Sequence, residues 1–172
     1  MTLAAIDVRE LVGQPGSSRP EHLRGTLDGV GTELARVRED DVIEGDLLLE
    51  SLVEGILVSG TISATMSLRC ARCLTPFDRD VTVEVHEMFV PAPDEDADDY
   101  RLEPEGMIDP EQLVRDAVGV ELPFSPLCRP DCLGLCPVCG GDRNRGECPG
   151  DHPSIDPRWA GLEGLLEQLD RN

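Results

Sequence analysis

Along residues 62–70 apolar and polar side chains alternate: Ile62, Ala64, Met66, Leu68 and Cys70 fall on one side, Ser63, Thr65, Ser67 and Arg69 on the other. A two-residue period is what a strand with one buried face requires. Val81, Val83 and Val85, set against Thr82, Glu84 and His86, repeat it. Cys70-Ala71-Arg72-Cys73 and Pro76-Phe77-Asp78 lie between the two runs, so an antiparallel hairpin with cysteines near its turn is expected. More widely, residues 30–90 are short runs rich in Val, Ile, Leu and Thr, separated by glycines at 45, 55 and 60, and predict a series of strands.

Helical spacing occurs on either side of these runs. Residues 7–12 predict a short helix, with Asp7 as cap and Val8, Leu11 and Val12 on one face, stopped by Gly13 and the loop to Pro20. Asp109-Pro110-Glu111 is a strong helix start, combining an N-cap, a first-turn proline and an acid at the positive end of the dipole. Leu113, Val114, Ala117 and Val118 supply its apolar stripe. Asp156-Pro157-Arg158 opens a last helix with Trp159, Leu162, Leu165, Leu166 and Leu169 on one face, expected to pack on the body because isolated helices of this length are marginal.

The expected architecture is α+β: a strand-rich antiparallel body with packed helices and a C-terminal zinc-binding cysteine cluster. It divides into an N-terminal helical arm and loop (1–29), a body containing an acidic loop and a helix (30–125), and a zinc-binding segment with the C-terminal helix (126–172). The acidic loop is Asp94-Glu95-Asp96-Ala97-Asp98-Asp99, too poor in apolar groups to enter a core.

Only five of the 172 residues are aromatic, so the core must be aliphatic. The formal charge is −20 and every basic residue is Arg; residues 84–121 alone hold 13 acids and 2 Arg, or −11. Such a chain repels nucleic-acid phosphate at long range and presents its middle to a basic partner. No stretch is long enough to span a membrane and the start lacks the form of a signal peptide, so a reducing, cytoplasmic setting is expected. There, seven cysteines, an odd number, point to metal rather than disulfides.

Five of the seven crowd into 21 residues: Cys128, Cys132, Cys136, Cys139 and Cys148. Cys136-Pro137-Val138-Cys139-Gly140-Gly141 has the form of a zinc knuckle, and thiolates at such spacings suit tetrahedral Zn2+. The surrounding segment has few large apolar groups, so a structural metal is its means of folding. Four of the five are expected to bind, Cys136 and Cys139 first, with Cys128 and Cys132 favoured to complete the set and Cys148 as rival; His152 reads as a surface histidine. Cys70 and Cys73, beside strands rather than at a helix N-terminus, do not read as a redox dithiol. They are candidates for a second site, and Arg69, Arg72 and Arg79 make the same turn a possible partner contact. No nucleophile–base set, P-loop or dinucleotide fingerprint occurs and no small-molecule substrate is evident, so an enzyme is not expected.

Taken in order, these motifs resemble the YceD family of bacterial proteins, named for large ribosomal RNA subunit accumulation. The resemblance is carried by Cys70-Ala71-Arg72-Cys73-Leu74 with Pro76-Phe77, by Ile108-Asp109, by Glu121-Leu122-Pro123, by Cys128 to Gly140 with Asn144 and Cys148, and by Asp156 to Leu162. It implies a part in 23S ribosomal RNA accumulation and large-subunit assembly without known catalysis. It also implies a link to a small zinc-binding large-subunit ribosomal protein, because family members are often encoded beside one. Many relatives carry a further cysteine where Gly150 stands here, and some lack the C-terminal cluster. The expected partner is a basic large-subunit ribosomal protein, a precursor containing 23S rRNA, or both; the alternative is a redox- or zinc-responsive regulatory binding protein.

Overall fold

The computed structural model describes residues 2–92 and 99–152. The alternating run at 62–70 belongs to a longer strand, β5 (Ile56–Arg69), which pairs antiparallel with β6 (Pro76–Val90) from Ile56↔Phe89 to Arg69↔Pro76. The expected hairpin is therefore present, with Cys70 and Cys73 in its turn. Ile62, Ala64, Met66 and Leu68 are buried as the alternation requires. Ser63, Thr65 and Ser67 form hydroxyl contacts on the other face to Thr82, Asp80 and Asp78 at 3.0, 2.8 and 2.8 Å.

Among the described residues six strands make the main sheet. Following β1 (Ile6–Asp7), β2 (Ser18–Gly25), β3 (Ala35–Val37) and β4 (Ile43–Ser51), the sheet runs β2-β4-β5-β6 and ends on β7 (Tyr100–Arg101), the one parallel neighbour. The short β3 pairs with the end of β5. A separate two-stranded ladder joins β1 to β8 (Met107–Ile108), which leads into α1 (Pro110–Val120).

Asp109 caps α1 as its sequence requires, its Oδ1 accepting from the Glu111 N–H at 2.9 Å. Leu113, Val114 and Val118 are buried in the same core as Val85 and Phe89 of β6, whose ring stacks on Tyr100 at 5.1 Å. The core is almost wholly aliphatic, as the composition demands.

Four expectations change. Residues 7–12 do not form a helix: Ile6 and Asp7 pair with Ile108 and Met107, and the chain then makes a single turn in which Leu11 and Val12 donate to the Val8 carbonyl. Val8 and Leu11 are buried, so the apolar spacing reflects two anchors under one turn rather than a helical stripe. The fold class stands as strand-rich and antiparallel, but the packed helices do not: α1 is the one helix among the described residues, and the expected helix at 156–169 lies outside them. Of the three glycines read as separators, Gly55 lies in the β4–β5 turn, whereas Gly45 and Gly60 lie inside strands. Gly60 is there because its φ is +146° and a Cβ would stand 2.2 Å from the Asp46 carbonyl oxygen of the neighbouring strand. The sheet also extends N-terminal to residue 30, through β2, which pairs with β4 along its whole length.

Candidate metal centres

At the far end of the β5–β6 hairpin the chain folds Cys70-Ala71-Arg72-Cys73-Leu74 into a tight turn. The Leu74 N–H donates to the Cys70 carbonyl at 2.9 Å, and the Cys70 N–H donates to the Thr75 carbonyl at 3.0 Å. Closing this turn needs a left-handed residue after the second cysteine, and Leu74 takes that conformation with φ 60°. Residues 136–141 repeat the design: the Gly140 N–H donates to the Cys136 carbonyl and the Cys136 N–H to the Gly141 carbonyl, both at 2.9 Å, with Gly140 at φ +73°. Both Cys-x2-Cys motifs are therefore knuckles of one geometry.

Each knuckle gathers two further donors. Cys128 and Cys132 join Cys70 and Cys73, while Cys148 and His152 join Cys136 and Cys139; within each group the ligand atoms lie within 4.8 Å of one another. The Cys70–Cys132 sulfurs are 3.8 Å apart and the Cys73–Cys128 sulfurs 3.7 Å. A tetrahedral zinc bonded to thiolates at about 2.3 Å would hold their sulfurs about 3.8 Å apart. A disulfide would bring them to about 2 Å, and all seven thiols are free. Cys148 Sγ stands 3.3 Å from His152 Nε2.

The proximal group is the more enclosed. Cys70, Cys73 and Cys132 are buried with Phe77 and Leu127 packed against them, and Cys128, though exposed as a residue, turns its sulfur inward. It lies where residues 126–135 dock on the hairpin turn. The Ala71 N–H donates to the Pro126 carbonyl at 2.8 Å, the Leu135 N–H to the Arg72 carbonyl at 2.9 Å, and Arg72 Nη1 to the Cys132 carbonyl at 2.9 Å. Gly134 permits this approach: a Cβ there would stand 2.8 Å from the Arg72 carbonyl oxygen. Asn144, in the loop between Cys139 and Cys148, reaches the proximal group, its Nδ2 donating to Cys132 Sγ at 3.5 Å and its Oδ1 accepting from the Leu133 N–H at 2.8 Å.

The thiols are polarised in a way that suits a cation. Burial raises Cys70, but the N–H groups of Cys128, Cys73 and Arg72 aimed at its sulfur more than offset that and bring it down to about 6. The hydroxyl and N–H of Thr75 lower Cys73. Desolvation and the sulfurs of Cys73, Cys70 and Cys132 push Cys128 up to about 12. In the distal group the N–H groups of Cys139 and Val138 bring Cys136 to about 6; for Cys148 the Gly150 N–H pulls down, but burial and the sulfurs of Cys136 and Cys139 raise it. Some thiols release a proton easily while others hold on, because negative charge converges; a divalent cation lets every donor be deprotonated together.

The grouping favoured from spacing, Cys128 and Cys132 with Cys136 and Cys139, is therefore not the grouping in the structure. Cys128 and Cys132 face the hairpin turn, 55 and 62 residues away in sequence. His152 is not a lone surface histidine but sits against a thiol. The distal donors carried the one hint available in sequence, a histidine four residues after Cys148. The three turn arginines divide as well. Arg72 holds the docked segment, Arg79 lies over the Phe77 ring at 5.7 Å, and Arg69 lines an open groove of about 1010 Å³ with Arg36 and Arg38, where Glu33, Glu39 and Asp40 supply as many acids.

No helix among the described residues is long and apolar enough to cross a membrane. Comparison with known proteins finds a family match over residues 58–166, to a model described as large ribosomal RNA subunit accumulation protein YceD. The matched region takes in both knuckles, α1 and the docked segment. The uncharacterized protein Rv2926c of Mycobacterium tuberculosis strain H37Rv is 42% identical, over 94% of this chain and 80% of its own length. The uncharacterized protein ML1660 of Mycobacterium leprae is 40% identical over 82% of this chain and 67% of its own. The uncharacterized protein YlbN of Bacillus subtilis is 29% identical over 65% and 67%. No solved structure matches.

Proposed function

Because the chain belongs to the YceD family, we propose that it is a non-enzymatic, cytoplasmic ribosome-biogenesis factor that supports 23S rRNA accumulation and large-subunit assembly. The observation that carries this reading is the family match, which runs through the hairpin turn, the helix and the cysteine segment together. The cysteines then have a structural task. Zinc held by Cys70, Cys73, Cys128 and Cys132 clamps residues 126–135 onto the hairpin, leaving no open position for chemistry.

Charge favours a protein partner over naked RNA. A chain at −20 cannot release counterions from RNA over an extended face, and the arginines of the open groove are matched by acids. Residues 84–121, at −11, would instead draw in a Lys/Arg-rich protein of the assembling large subunit, with salt-sensitive association. Once it is bound, Arg69 and Arg79 would touch nearby phosphate.

The test compares affinity for purified 23S rRNA with affinity for basic large-subunit ribosomal proteins at physiological salt, alongside the ratio of 23S to 16S rRNA in cells lacking the chain. Tight protein binding that weakens with salt, and a fall in 23S rRNA, are expected. Tight binding to protein-free RNA, unaffected by neutralising the acids of 94–99, would overturn the partner assignment; an unchanged ratio would overturn the role. The second reading, a redox- or zinc-responsive binding protein, draws on the exposure of Cys139, and predicts that peroxide alters partner affinity.

A further inference from the structure

We propose that this chain binds two zinc ions rather than one, and that the distal set of Cys136, Cys139, Cys148 and His152 is a genuine second centre whose metal exchanges first. Five features argue for a built site. The first is the repeated knuckle: the turn closed by Leu74 beside the proximal donors is reproduced, hydrogen bond for hydrogen bond, at Gly140. Nothing in the apolar packing demands that second turn, since Val138 at its tip is exposed and a Cβ on Gly140 would touch nothing.

The second feature is the convergence of Cys148 and His152 on that knuckle, all four donor atoms lying within 4.8 Å of one another. The third is the donor set itself. Three sulfurs and an imidazole are a known zinc combination, and His152 presents Nε2, a suitable ligand atom, toward Cys148. Fourth, the return of the chain is fixed by backbone rather than by side-chain packing. The Arg143 N–H donates to the Gly134 carbonyl at 3.0 Å, the Glu147 N–H to the Asp142 carbonyl at 3.0 Å, and a Cβ on Gly141 would stand 2.9 Å from the Glu147 carbonyl oxygen. Such a loop has no core of its own to order it, so its geometry is accounted for by a metal at its centre. Fifth, the two donor sets share no residue, so neither centre borrows a ligand from the other.

The order of exchange follows from exposure. Three of the proximal cysteines are buried, Cys70 fully, whereas of the distal donors only Cys136 is buried; Cys139 is exposed and Cys148 and His152 are partly so. A chelator reaches the distal ion directly, but reaches the proximal ion only after residues 126–135 lift from the hairpin.

The experiment is zinc analysis of the full chain purified without chelators, followed by timed transfer of zinc to a chromophoric chelator. Two zinc per chain and two kinetic phases of equal amplitude are expected, one for each donor set. In a Cys148→Ser, His152→Ala double variant the fast phase and one equivalent should vanish while the slow phase persists. Substituting cobalt(II) in the unmodified chain gives a readout independent of variant folding. Filling in two steps with distinct sulfur-to-metal absorption identifies one centre of three sulfurs and a nitrogen and another of four sulfurs. One zinc per chain at saturation would overturn the proposal, as would a fast phase surviving in the double variant or cobalt spectra showing a single centre. Absence of the slow phase with the fast phase intact would overturn the count of two through the proximal clamp, and leave the distal site standing.

Discussion

Replacing Cys132 by Ser tests how the cysteine segment is held. Cys132 is buried, 3.8 Å from the Cys70 sulfur, and belongs to the docked segment rather than to the sheet, so its loss does not disturb the main core. Apart from the thiolates, the ten residues from Pro126 to Leu135 are tied to the hairpin by three hydrogen bonds. At roughly 1 kcal/mol net each these contribute about 3 kcal/mol. Ordering the same ten backbone positions costs on the order of 10 kcal/mol or more. A structural zinc there would supply about 10 kcal/mol, enough to make up the difference. A serine hydroxyl is a poor zinc ligand, and losing even half of that contribution leaves the hydrogen bonds outweighed. Amide hydrogen exchange with metal analysis of the same sample is the assay. Protection should collapse over residues 126–135 while the Ile56–Arg69 and Pro76–Val90 strands keep theirs. Full protection of 126–135 in a metal-free variant would refute the reasoning, as would loss of protection throughout the sheet.

Four further outcomes are expected. Ile62→Ala, at a fully buried position in the middle of β5, should lower unfolding free energy by about 2–5 kcal/mol in a denaturant titration without changing zinc content. Gly60→Ala should also destabilise, because it meets the Asp46 carbonyl and a φ of +146°; a melting temperature equal to the parent's would show that the strand shifts freely. Leu74→Gly should leave zinc content unchanged and raise stability by up to about 1 kcal/mol, since glycine removes the left-handed penalty, less its own unfolded-state entropy. Arg9 holds the Asp7 carboxyl down to about 2 by side-chain and backbone hydrogen bonds, so the stability this pair adds is present above the ordinary carboxylate range and is lost as pH falls toward 2. Asp7→Asn should flatten that part of the acid unfolding curve, and salt should shrink the difference because the pair is exposed.

What the sequence determined by itself is what depends on neighbours in the chain. The period-two runs at 62–70 and 81–86 specify which faces of β5 and β6 are buried, and the Asp109-Pro110-Glu111 start specifies α1, because strand alternation and helix capping are local geometry. The knuckle at 136–141 was legible for the same reason. The apolar spacing at 7–12 was ambiguous, since two buried anchors under one turn can fall at helical intervals; pairing of Ile6 with Ile108, 102 residues on, decided it. Gly60 could not be read as a strand residue because the close approach that requires it comes from Asp46 on another strand. The cysteines show the division most sharply. Spacing groups Cys128 and Cys132 with Cys136 and Cys139, yet ligands are chosen by distance in space. Only the docking of residues 126–135 on the hairpin turn, with Gly134 against Arg72, brings Cys128 and Cys132 to Cys70 and Cys73 and leaves Cys148 and His152 to complete the other set.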